Sequence, residues 1–365
     1  MSEGARLAVI AAGGTGGHLF PAQALAEALS ARGWRIVLAT DRRTESLANQ
    51  FPAEGRVAIP SATLAGGPVA RAGQVLAIIR GILGARRALR TLRPAIVVGF
   101  GGYPSIPTLI AARSLGLKCA IHEQNAVMGR ANRLLAPWVD AIACAFPTLI
   151  KAPAKVRARA VVVGNPVRPA IRALMDVSYE PPAAEGPLRL FITGGSQGAR
   201  ILSQIAPLAV SALPTAMRAR VSVAQQTRVE TIDAAAAVYR EAGVTADLAP
   251  FFSDMANRWT WAHLVVSRAG ASSVGEIAVA GRPAVLIPLG IALDDDQGQN
   301  ARLLSDAGGA VIMRESDLTA DSLSRLLAEL LGDPARLAQM AGQARAQATP
   351  DAAERLADLV ERTAA

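Results

Sequence analysis

The sequence contains few cysteines, histidines and aromatic residues, and each shortage excludes a kind of site. It has two cysteines, Cys119 and Cys144, and three histidines in 365 residues, with no Cys-x-x-Cys pair and no Cys/His spacing of the kind that binds zinc. Aromatic residues make up 4% of the chain and are not interleaved with basic residues, as base-stacking surfaces require. We therefore expect no bound metal, no cofactor and no nucleic-acid partner.

Long hydrophobic runs are also missing. No stretch approaches the roughly 18 apolar residues that a membrane span needs. The N-terminus, MSEGARLAVIAAGG, lacks the basic start and the long apolar core of a signal peptide. The net charge is +9, and a basic surface attracts phosphorylated or anionic partners. We expect a cytoplasmic protein with peripheral contact to a membrane.

Short β-rich runs alternate with helical stretches in two series, which predicts βαβ units and parallel sheets. Because 365 residues exceed what one hydrophobic core usually holds, we expect an α/β chain with two Rossmann-like, doubly wound domains, 1–165 and 166–349. The predicted strands are Leu7–Ala11, Ile36–Ala39, Val57–Ile59, Ile96–Phe100, Cys119–His122, Ala141–Cys144, Val161–Val163, Leu188–Thr193, Val221–Ala224, Asp247–Pro250, Leu264–Ser267, Ala284–Pro288 and Ala310–Met313.

Three glycine-rich loops follow predicted strands, at Gly13–His18, Gly99–Ser105 and Gly194–Arg200. Glycines between a strand and a helix let the backbone approach a ligand, and the N–H groups of the next helix then face an anion. The spacing is neither GxGxxG nor GxxxxGK[ST], so a dehydrogenase or a P-loop enzyme is excluded. Loops of this kind in both halves suggest two phosphorylated substrates, although each alone could be a tight turn.

Polar clusters follow three further strands. His122–Asn125 offers four hydrogen-bonding side chains where α/β sheets bind ligands. Ser267–Glu276 is another turn before a helix, in which Glu276 either caps the first helical turn or grips ribose hydroxyls. Asp294–Asn300 is a polar loop that can meet sugar hydroxyls, and metal binding by its aspartates is the less favoured interpretation.

The stretch from Arg71 to Arg93 is basic and amphipathic. Its apolar positions are Val75, Leu76, Ile78, Ile79, Ile82 and Leu83, and its arginines are Arg71, Arg80, Arg86, Arg87, Arg90 and Arg93. Such a helix either packs on its own domain or lies in an anionic lipid surface. The excess of arginine without acidic partners favours lipid.

Seven motifs occur here in order: GGTGGH, GFGGYPS, HEQN, GNPVR, GGSQGA, SRAGASSVGE and DDDQGQNA. Together they resemble the MurG family of bacterial peptidoglycan glycosyltransferases. The resemblance implies the GT-B fold, two Rossmann-like domains facing across a cleft, with a C-terminal helix at about 350–365 returning to the first. It implies inverting transfer of N-acetylglucosamine from UDP-GlcNAc to the 4-hydroxyl of MurNAc in lipid I, which gives lipid II. The first domain would meet the acceptor and the membrane, and the second would hold the donor.

The resemblance also implies a location and partners. The protein would act as a peripheral protein on an anionic membrane surface, at the cytoplasmic face of the inner membrane, alongside cell-wall and division proteins. The implied donor-site residues are Thr15, Gly16, Gly17, Asn125, Arg168, Ser196, Phe252, Ala271, Ser272, Ser273, Val274, Gly275, Glu276 and Gln297.

Individual roles follow from the same motifs. Ser196 would contact the diphosphate, and the backbone at Phe252 would recognise the uracil. Glu276 would bind the ribose, and Gln297 would contact the sugar. One residue departs from the pattern, because Asp296 stands where a histidine is common beside the glutamine. Gln297 itself matches the family pattern.

The chemistry needs a general base for the acceptor hydroxyl. His18 is the first candidate, because an imidazole exchanges protons near neutral pH, and Glu123 is the second. The loop Gly101, Gly102 and Tyr103 would hold the acceptor diphosphate. Two other functions fit parts of the pattern, a UDP-GlcNAc 2-epimerase and a nonenzymatic nucleotide-sugar sensor. Neither of these functions accounts for the basic helix or for the full set of motifs.

Overall fold

The computed structural model describes residues 5–13, 16–41, 51–60, 68–195, 198–290 and 294–365, and side chains from residue 73 onward in the helix that begins at Pro68. Thr15 and Ser196 of the predicted donor site lie outside these residues. The chain divides into two compact units, Met1–Arg168 with Asp351–Ala365 (unit 1) and Pro169–Pro350 (unit 2). The sequence-based boundaries are 165/166 and 349/350, and those of the two units are 168/169 and 350/351.

Unit 1 contains a parallel sheet of seven strands within the described residues, in the order β3-β2-β1-β4-β5-β6-β7. This order, with crossovers to either side of β1, is that of a Rossmann-type sheet. The strands are β1 Leu7–Ala11, β2 Arg35–Thr40, β3 Gly55–Ala58, β4 Ile96–Gly99, β5 Lys118–Glu123, β6 Ala141–Cys144 and β7 Ala160–Val162. The helices are α1 Gly16–Ala31, α2 Pro68–Leu92, α3 Ser105–Ser114, α4 Arg130–Leu135, α5 Ala154–Arg157 and, after unit 2, α15 Ala352–Ala364.

Unit 2 repeats the arrangement with six strands in the order β10-β9-β8-β11-β12-β13, again within the described ranges. The strands are β8 Leu188–Thr193, β9 Val221–Gln226, β10 Thr245–Ala249, β11 Leu264–Ser267, β12 Ala284–Leu286 and β13 Ala310–Ile312. The helices are α6 Pro169–Arg172, α7 Arg200–Ser211, α8 Thr215–Arg218, α9 Ile232–Glu241, α10 Met255–Trp261, α11 Ala271–Ala280, α12 Asp296–Ser305, α13 Ala320–Leu331 and α14 Pro334–Arg345.

Burial on both faces explains why the strands read as unbroken apolar runs. In β1, Leu7 and Val9 belong to the core under α2 and α3, whereas Ala8 and Ile10 belong to the core under α1 and α15. Every strand that the sequence predicts is present in the described part of the chain, with ends that differ by a few residues. The prediction of two Rossmann-like parallel-sheet domains is confirmed.

Helix α15 packs on α1, and its side chains add polar links to that contact. Arg32, after the end of α1, forms ion pairs with Asp358 at 2.6 Å and with Glu361 at 2.7 Å. The indole N–H of Trp34 donates to Glu361 at 2.9 Å. Leu356 and its neighbours complete one of the two cores of unit 1. None of the helices described has the length and apolar character of a membrane-crossing segment.

Candidate active site

His18 lies in the first turn of α1, close to the end of β1. Its Nδ1 is 2.8 Å from the carbonyl oxygen of Phe100, at the end of β4. A carbonyl can only accept a hydrogen bond, so Nδ1 is the nitrogen that carries the proton and donates. In the neutral ring Nε2 then keeps its lone pair. The arrangement leaves His18 able to accept a proton at Nε2.

The loop after β4 packs directly against this imidazole. Gly101 and Gly102 have φ of +81° and +73°, the left-handed region that favours glycine. A Cβ on Gly101 would lie 3.4 Å from Nδ1 of His18, and one on Gly102 would lie 2.5 Å from the carbonyl oxygen of Gly13. A side chain at Gly102 would therefore displace the loop before α1 as well. Tyr103 follows and is 38% exposed, so it is the better position at which to probe this loop.

Glu123 ends β5 with both carboxylate oxygens engaged. Oε1 accepts from the backbone N–H of Asn125 at 3.0 Å and from its side-chain amide at 3.4 Å. Oε2 accepts from the backbone N–H of Gly129 and from the amide of Asn132, both at 2.9 Å. The residue is 1% exposed. Its carboxylate thus ties the segment after β5 to the start of α4, and Asn132, which no motif marks, completes the site.

His122 is fully buried in the same strand. Its Nε2 lies 3.0 Å from the carbonyl oxygen of Gly164, and its ring packs against the Phe100 ring with the centroids 5.4 Å apart. Burial lowers the pKa of His122 to about 4, so the imidazole is neutral at physiological pH. Of the four polar residues His122–Asn125, the first three are buried and Asn125 is partly exposed.

Arg168 ends the first segment of unit 1, and its guanidinium carbon lies 4.6 Å from the centroid of the Phe20 ring. Phe20 follows His18 by two residues on α1. A guanidinium on an aromatic face gains roughly 0.5–1 kcal/mol when exposed, and more when desolvated. The contact brings Arg168 to the same end of α1 as His18, Gly16 and Gly17, so the structure groups these predicted residues.

In unit 2 the corresponding loop follows β8. A Cβ on Gly194 would collide with the backbone nitrogen of Ala199, so only glycine permits this tight approach. Gln226, at the end of β9, holds the loop: its Oε1 accepts from Thr193 Oγ1 at 2.9 Å and from the Gly194 N–H at 3.1 Å. The sequence did not mark Gln226. The residue before α7, Ala199, does not cap the helix with its side chain, and N–H groups at a helix N-terminus can bind an anion.

Glu276 is buried in the second turn of α11, which begins at Ala271. The capping alternative is therefore wrong, because a capping carboxylate has to lie in the first turn. Its Oε2 accepts from the indole N–H of Trp259 at 3.0 Å. The Trp259 ring packs edge-on against Phe191, 5.1 Å between centroids, and Phe191 packs edge-on against Phe252 at 6.0 Å. Trp259 thus orients Glu276 and connects it to Phe252.

The first turns of α11 contain the other residues that are predicted to contact the nucleoside. Of these, Ala271 and Val274 are buried. The set comprises Ala271, Ser272, Ser273, Val274 and Gly275.

A partly buried ion pair holds the backbone at Gly290, before Gln297 in the chain. Arg268 contacts Glu315 at 2.6 Å, and the same carboxylate oxygen accepts from the Gly290 N–H at 3.1 Å. Gln297 accepts from the Leu289 N–H at 3.1 Å through Oε1. These bonds place Gln297 at the carboxyl end of β12, where α/β sheets bind ligands.

Nothing in the acidic run of this loop resembles a metal centre. Asp295 pairs with Arg314 at 2.9 Å, and Asp296 is the first residue of α12. The described residues contain no group of three or more His, Cys, Asp or Glu side chains that could hold a metal ion.

Helix α2 has one face in the core and one in solvent. Ala85 and Leu89 are buried, whereas Val75, Leu76, Ile79 and Leu83 are 47%, 46%, 47% and 62% exposed. We call these four exposed residues the α2 apolar patch. Exposed arginines lie on the same helix, at Arg80, Arg87 and Arg90, with Arg93 just after its end. Helix α2 therefore packs against its own domain with one face and exposes the other face to solvent. The side chain of Arg71 lies outside the described residues.

Each unit has a Rossmann-type parallel sheet with a glycine-rich loop after one of its strands, an arrangement that fits a glycosyltransferase that uses a nucleotide sugar. The Glycosyltransferase family 28 N-terminal domain matches residues 8–144, and the Glycosyltransferase family 28 C-terminal domain matches residues 189–356. The chain belongs to glycosyltransferase family 28.

Among its relatives is the UDP-N-acetylglucosamine--N-acetylmuramyl-(pentapeptide) pyrophosphoryl-undecaprenol N-acetylglucosamine transferase of Phenylobacterium zucineum. It is 61% identical over 360 residues, 98% of this chain and 99% of the relative. The transferase of the same name from Caulobacter vibrioides is 56% identical over 98% and 99% of the two chains.

Solved structures agree with these relatives. The crystal structure of Acinetobacter baumannii MurG has a TM-score of 0.77 and 32% identity, and the match covers 98% of this chain and 99% of that one. The resemblance to the MurG family is confirmed. A calicheamicin glycosyltransferase, at 16% identity and a TM-score of 0.65 over 99% and 98% of the chains, shares the fold.

Proposed function

We propose that this protein transfers N-acetylglucosamine from UDP-N-acetylglucosamine to lipid-linked N-acetylmuramyl-pentapeptide, and so forms lipid II. The observation that carries the proposal is the match of both units, over nearly the whole chain, to transferases named for this reaction. The test is transfer of labelled N-acetylglucosamine to a lipid I analogue, with and without EDTA. Lipid II formation is expected in both. Release of UDP or an epimerised sugar without acceptor would instead indicate a 2-epimerase, and binding without turnover a sensor.

The reaction proceeds as a single displacement with inversion. The 4-hydroxyl oxygen of the muramyl sugar attacks the anomeric carbon with a lone pair, and its proton passes to Nε2 of His18. The bond between the anomeric carbon and the β-phosphate oxygen breaks, and UDP leaves with that electron pair. The hydrogen bond from His18 Nδ1 to the Phe100 carbonyl supports this role, because it leaves Nε2 as the acceptor. General base catalysis contributes about 10²–10⁴-fold.

Glu123 acts as a positioning residue rather than as the base. Four donors from Asn125, Gly129 and Asn132 contact its two oxygens, so both oxygens are engaged by the protein rather than open to the acceptor hydroxyl. Its contacts shape the turn that presents Asn125, which we place with Arg168, Gly16 and Gly17 at the donor sugar, together with Thr15.

The donor nucleotide binds unit 2. Its diphosphate would lie at the loop Gly194–Gly198 and the start of α7, with Ser196 as a hydroxyl donor. The ribose would bind the carboxylate of Glu276, which the Trp259 indole orients, and the uracil would meet the backbone at Phe252. Gln297 contacts the sugar, and the ion pair between Arg268 and Glu315 stabilises the loop before it. Oriented N–H groups stabilise the developing charge of UDP without further reorganisation.

The acceptor diphosphate binds the Gly101–Tyr103 loop of unit 1. Gly101 and Gly102 are in the left-handed region, and without side chains they let an anion approach the backbone closely. Tyr103→Ala should raise the apparent KM for the lipid acceptor more than that for UDP-GlcNAc. Equal effects on both substrates would contradict an acceptor site in this loop.

The protein would act as a peripheral protein at the cytoplasmic face of the membrane, and the α2 apolar patch supports this part of the proposal. Four exposed aliphatic side chains beside Arg80, Arg87 and Arg90 fit an anionic lipid surface, where each basic residue contributes about 1 kcal/mol. Flotation with anionic and neutral liposomes tests this. Partners among cell-wall and division proteins stay a prediction from the family resemblance.

A further inference from the structure

The carbonyl oxygen of Phe100 accepts two side-chain hydrogen bonds. One comes from His18 Nδ1 at 2.8 Å. The other comes from the side-chain amide of Gln124, whose Nε2 lies 2.9 Å away. A carbonyl oxygen has two lone pairs, so these two donors occupy it fully.

The rest of this peptide is also fixed. The Phe100 N–H donates to the carbonyl of Ala11 in β1 at 2.9 Å, and the Phe100 ring packs on the buried ring of His122. Ser105 bonds the next carbonyl, that of Gly101, at 2.6 Å. These contacts hold the Phe100 peptide, and Gln124 is the second side chain, besides His18, that donates to its carbonyl oxygen.

Gln124 is 2% exposed, and its amide has only one productive orientation. The NH₂ end can donate to the carbonyl, whereas the oxygen end would repel it. An amide placed this way is costly to bury unless it bonds, yet its Oε1 has no partner among the described residues. Within the described residues, the side-chain hydrogen bond of Gln124 is thus the one to the carbonyl that holds His18.

We propose that Gln124 is a positioning residue that fixes the protonation pattern of the His18 ring through the shared Phe100 carbonyl. The proposal rests on the proposed role of His18 as the base. If the carbonyl turned away, the ring could place its proton on Nε2 instead of Nδ1. A ring with Nε2–H cannot take the proton of the acceptor hydroxyl, so Gln124 sets the fraction of enzyme that is competent for the displacement.

The test compares Gln124→Leu, which removes the donor at similar volume, with Gln23→Leu. Gln23 lies on the same helix as His18 but bonds Glu27 at 3.0 Å, away from the carbonyl. Loss of one neutral hydrogen bond corresponds to a fall of about 3- to 10-fold in kcat for Gln124→Leu. We expect unchanged KM values in that variant, and no change in either parameter for Gln23→Leu.

Nitrogen-15 NMR of the imidazoles reads the protonation pattern directly, and the chain has only three histidines. In the wild type His18 should be the Nδ1–H form. His263 should be the Nε2–H form, because its Nδ1 lies 3.2 Å from the donating N–H of Arg189. Gln124→Leu should raise the Nε2–H fraction of His18 and leave His263 unchanged. A normal kcat, or a reduced kcat with His18 still in the Nδ1–H form, would overturn the proposal.

A second variant is a control for disruption of the local packing by Gln124→Leu. Gln124→Glu keeps the shape but turns an acceptor toward the carbonyl, and protonation of that carboxyl at lower pH restores a donor. Its kcat relative to the wild type should therefore rise as the pH falls, and a ratio independent of pH would count against the proposal. If His18→Ala itself kept full turnover, the proposed base would be wrong, while the NMR comparison would still decide whether Gln124 sets the ring.

Discussion

The buried imidazole of His122 makes unit 1 sensitive to acid. Burial lowers the pKa of His122 to about 4 from 6.5, against the small opposing effect of its hydrogen bond to Gly164. The unfolded chain takes up a proton near pH 6.5, and the folded chain does so only near pH 4. Between these values the unfolded state binds more protons, so stability falls as the pH falls through this window.

The size of the effect follows from the shift. One pKa unit corresponds to about 1.4 kcal/mol, so this residue removes on the order of 1 kcal/mol of stability by pH 5.5 and on the order of 3 kcal/mol by pH 4. Domains are stable by about 5–15 kcal/mol, so the loss is a sizeable fraction. The pKa of His263 in unit 2 is also lowered to about 4, first by burial and then by Arg189 and Arg282, which adds a loss in the same direction.

His122→Gln isolates the contribution, because glutamine offers an N–H to the Gly164 carbonyl and does not titrate. We would measure urea unfolding of both proteins at pH values of about 7.5, 5.5 and 4.5, and titrate the histidines by NMR. The wild type should lose stability relative to the variant as the pH falls, while His263 affects both equally. Parallel losses in the two proteins, or a His122 signal that titrates near pH 6.5, would refute the reasoning.

Three further predictions concern the reaction and the membrane. His18→Ala should lower kcat by about 10²–10⁴-fold with little change in the KM for UDP-GlcNAc, and near-normal turnover would exclude it as the base. Trp259→Phe removes the indole N–H from the buried carboxylate on α11 and should raise the KM for UDP-GlcNAc about 2- to 10-fold; Trp261→Phe is the control, and equal KM values would contradict the role. Leu83→Asp should reduce flotation with anionic liposomes, whereas Leu208→Asp, at another leucine that is 45% exposed, should not; equal binding would remove the α2 apolar patch from the interface.

The strands and the glycine loops could be predicted because their causes are local. A strand buried on both faces reads as an apolar run, as Leu7–Ala11 does. A left-handed or tightly approached position demands glycine, as at Gly102 and Gly194. Such signals lie within a few residues of the chain, so the motif order alone was enough to indicate the family.

The different contacts that neighbouring polar residues make could not be predicted from the sequence. His122, Glu123 and Gln124 are adjacent in sequence, yet their partners are Gly164, Asn132 and Phe100. Tertiary contacts decide which of them is buried and bonded. The capping interpretation of Glu276 failed for a similar reason: the helix begins at Ala271, and the carboxylate bonds a tryptophan from α10.

Helix α15 has a consequence for how the chain is made. The residues that finish one core of unit 1, Leu356 and Val360 among them, are synthesised only after the whole of unit 2. While the ribosome is still working, the surface of α1 that will receive α15 is uncovered, and Arg32 and Trp34 lack their acidic partners. Unit 2 is contiguous and can fold as it emerges, whereas unit 1 matures last. Nonsense or frameshift mutations late in the gene should therefore damage the half of the protein encoded first.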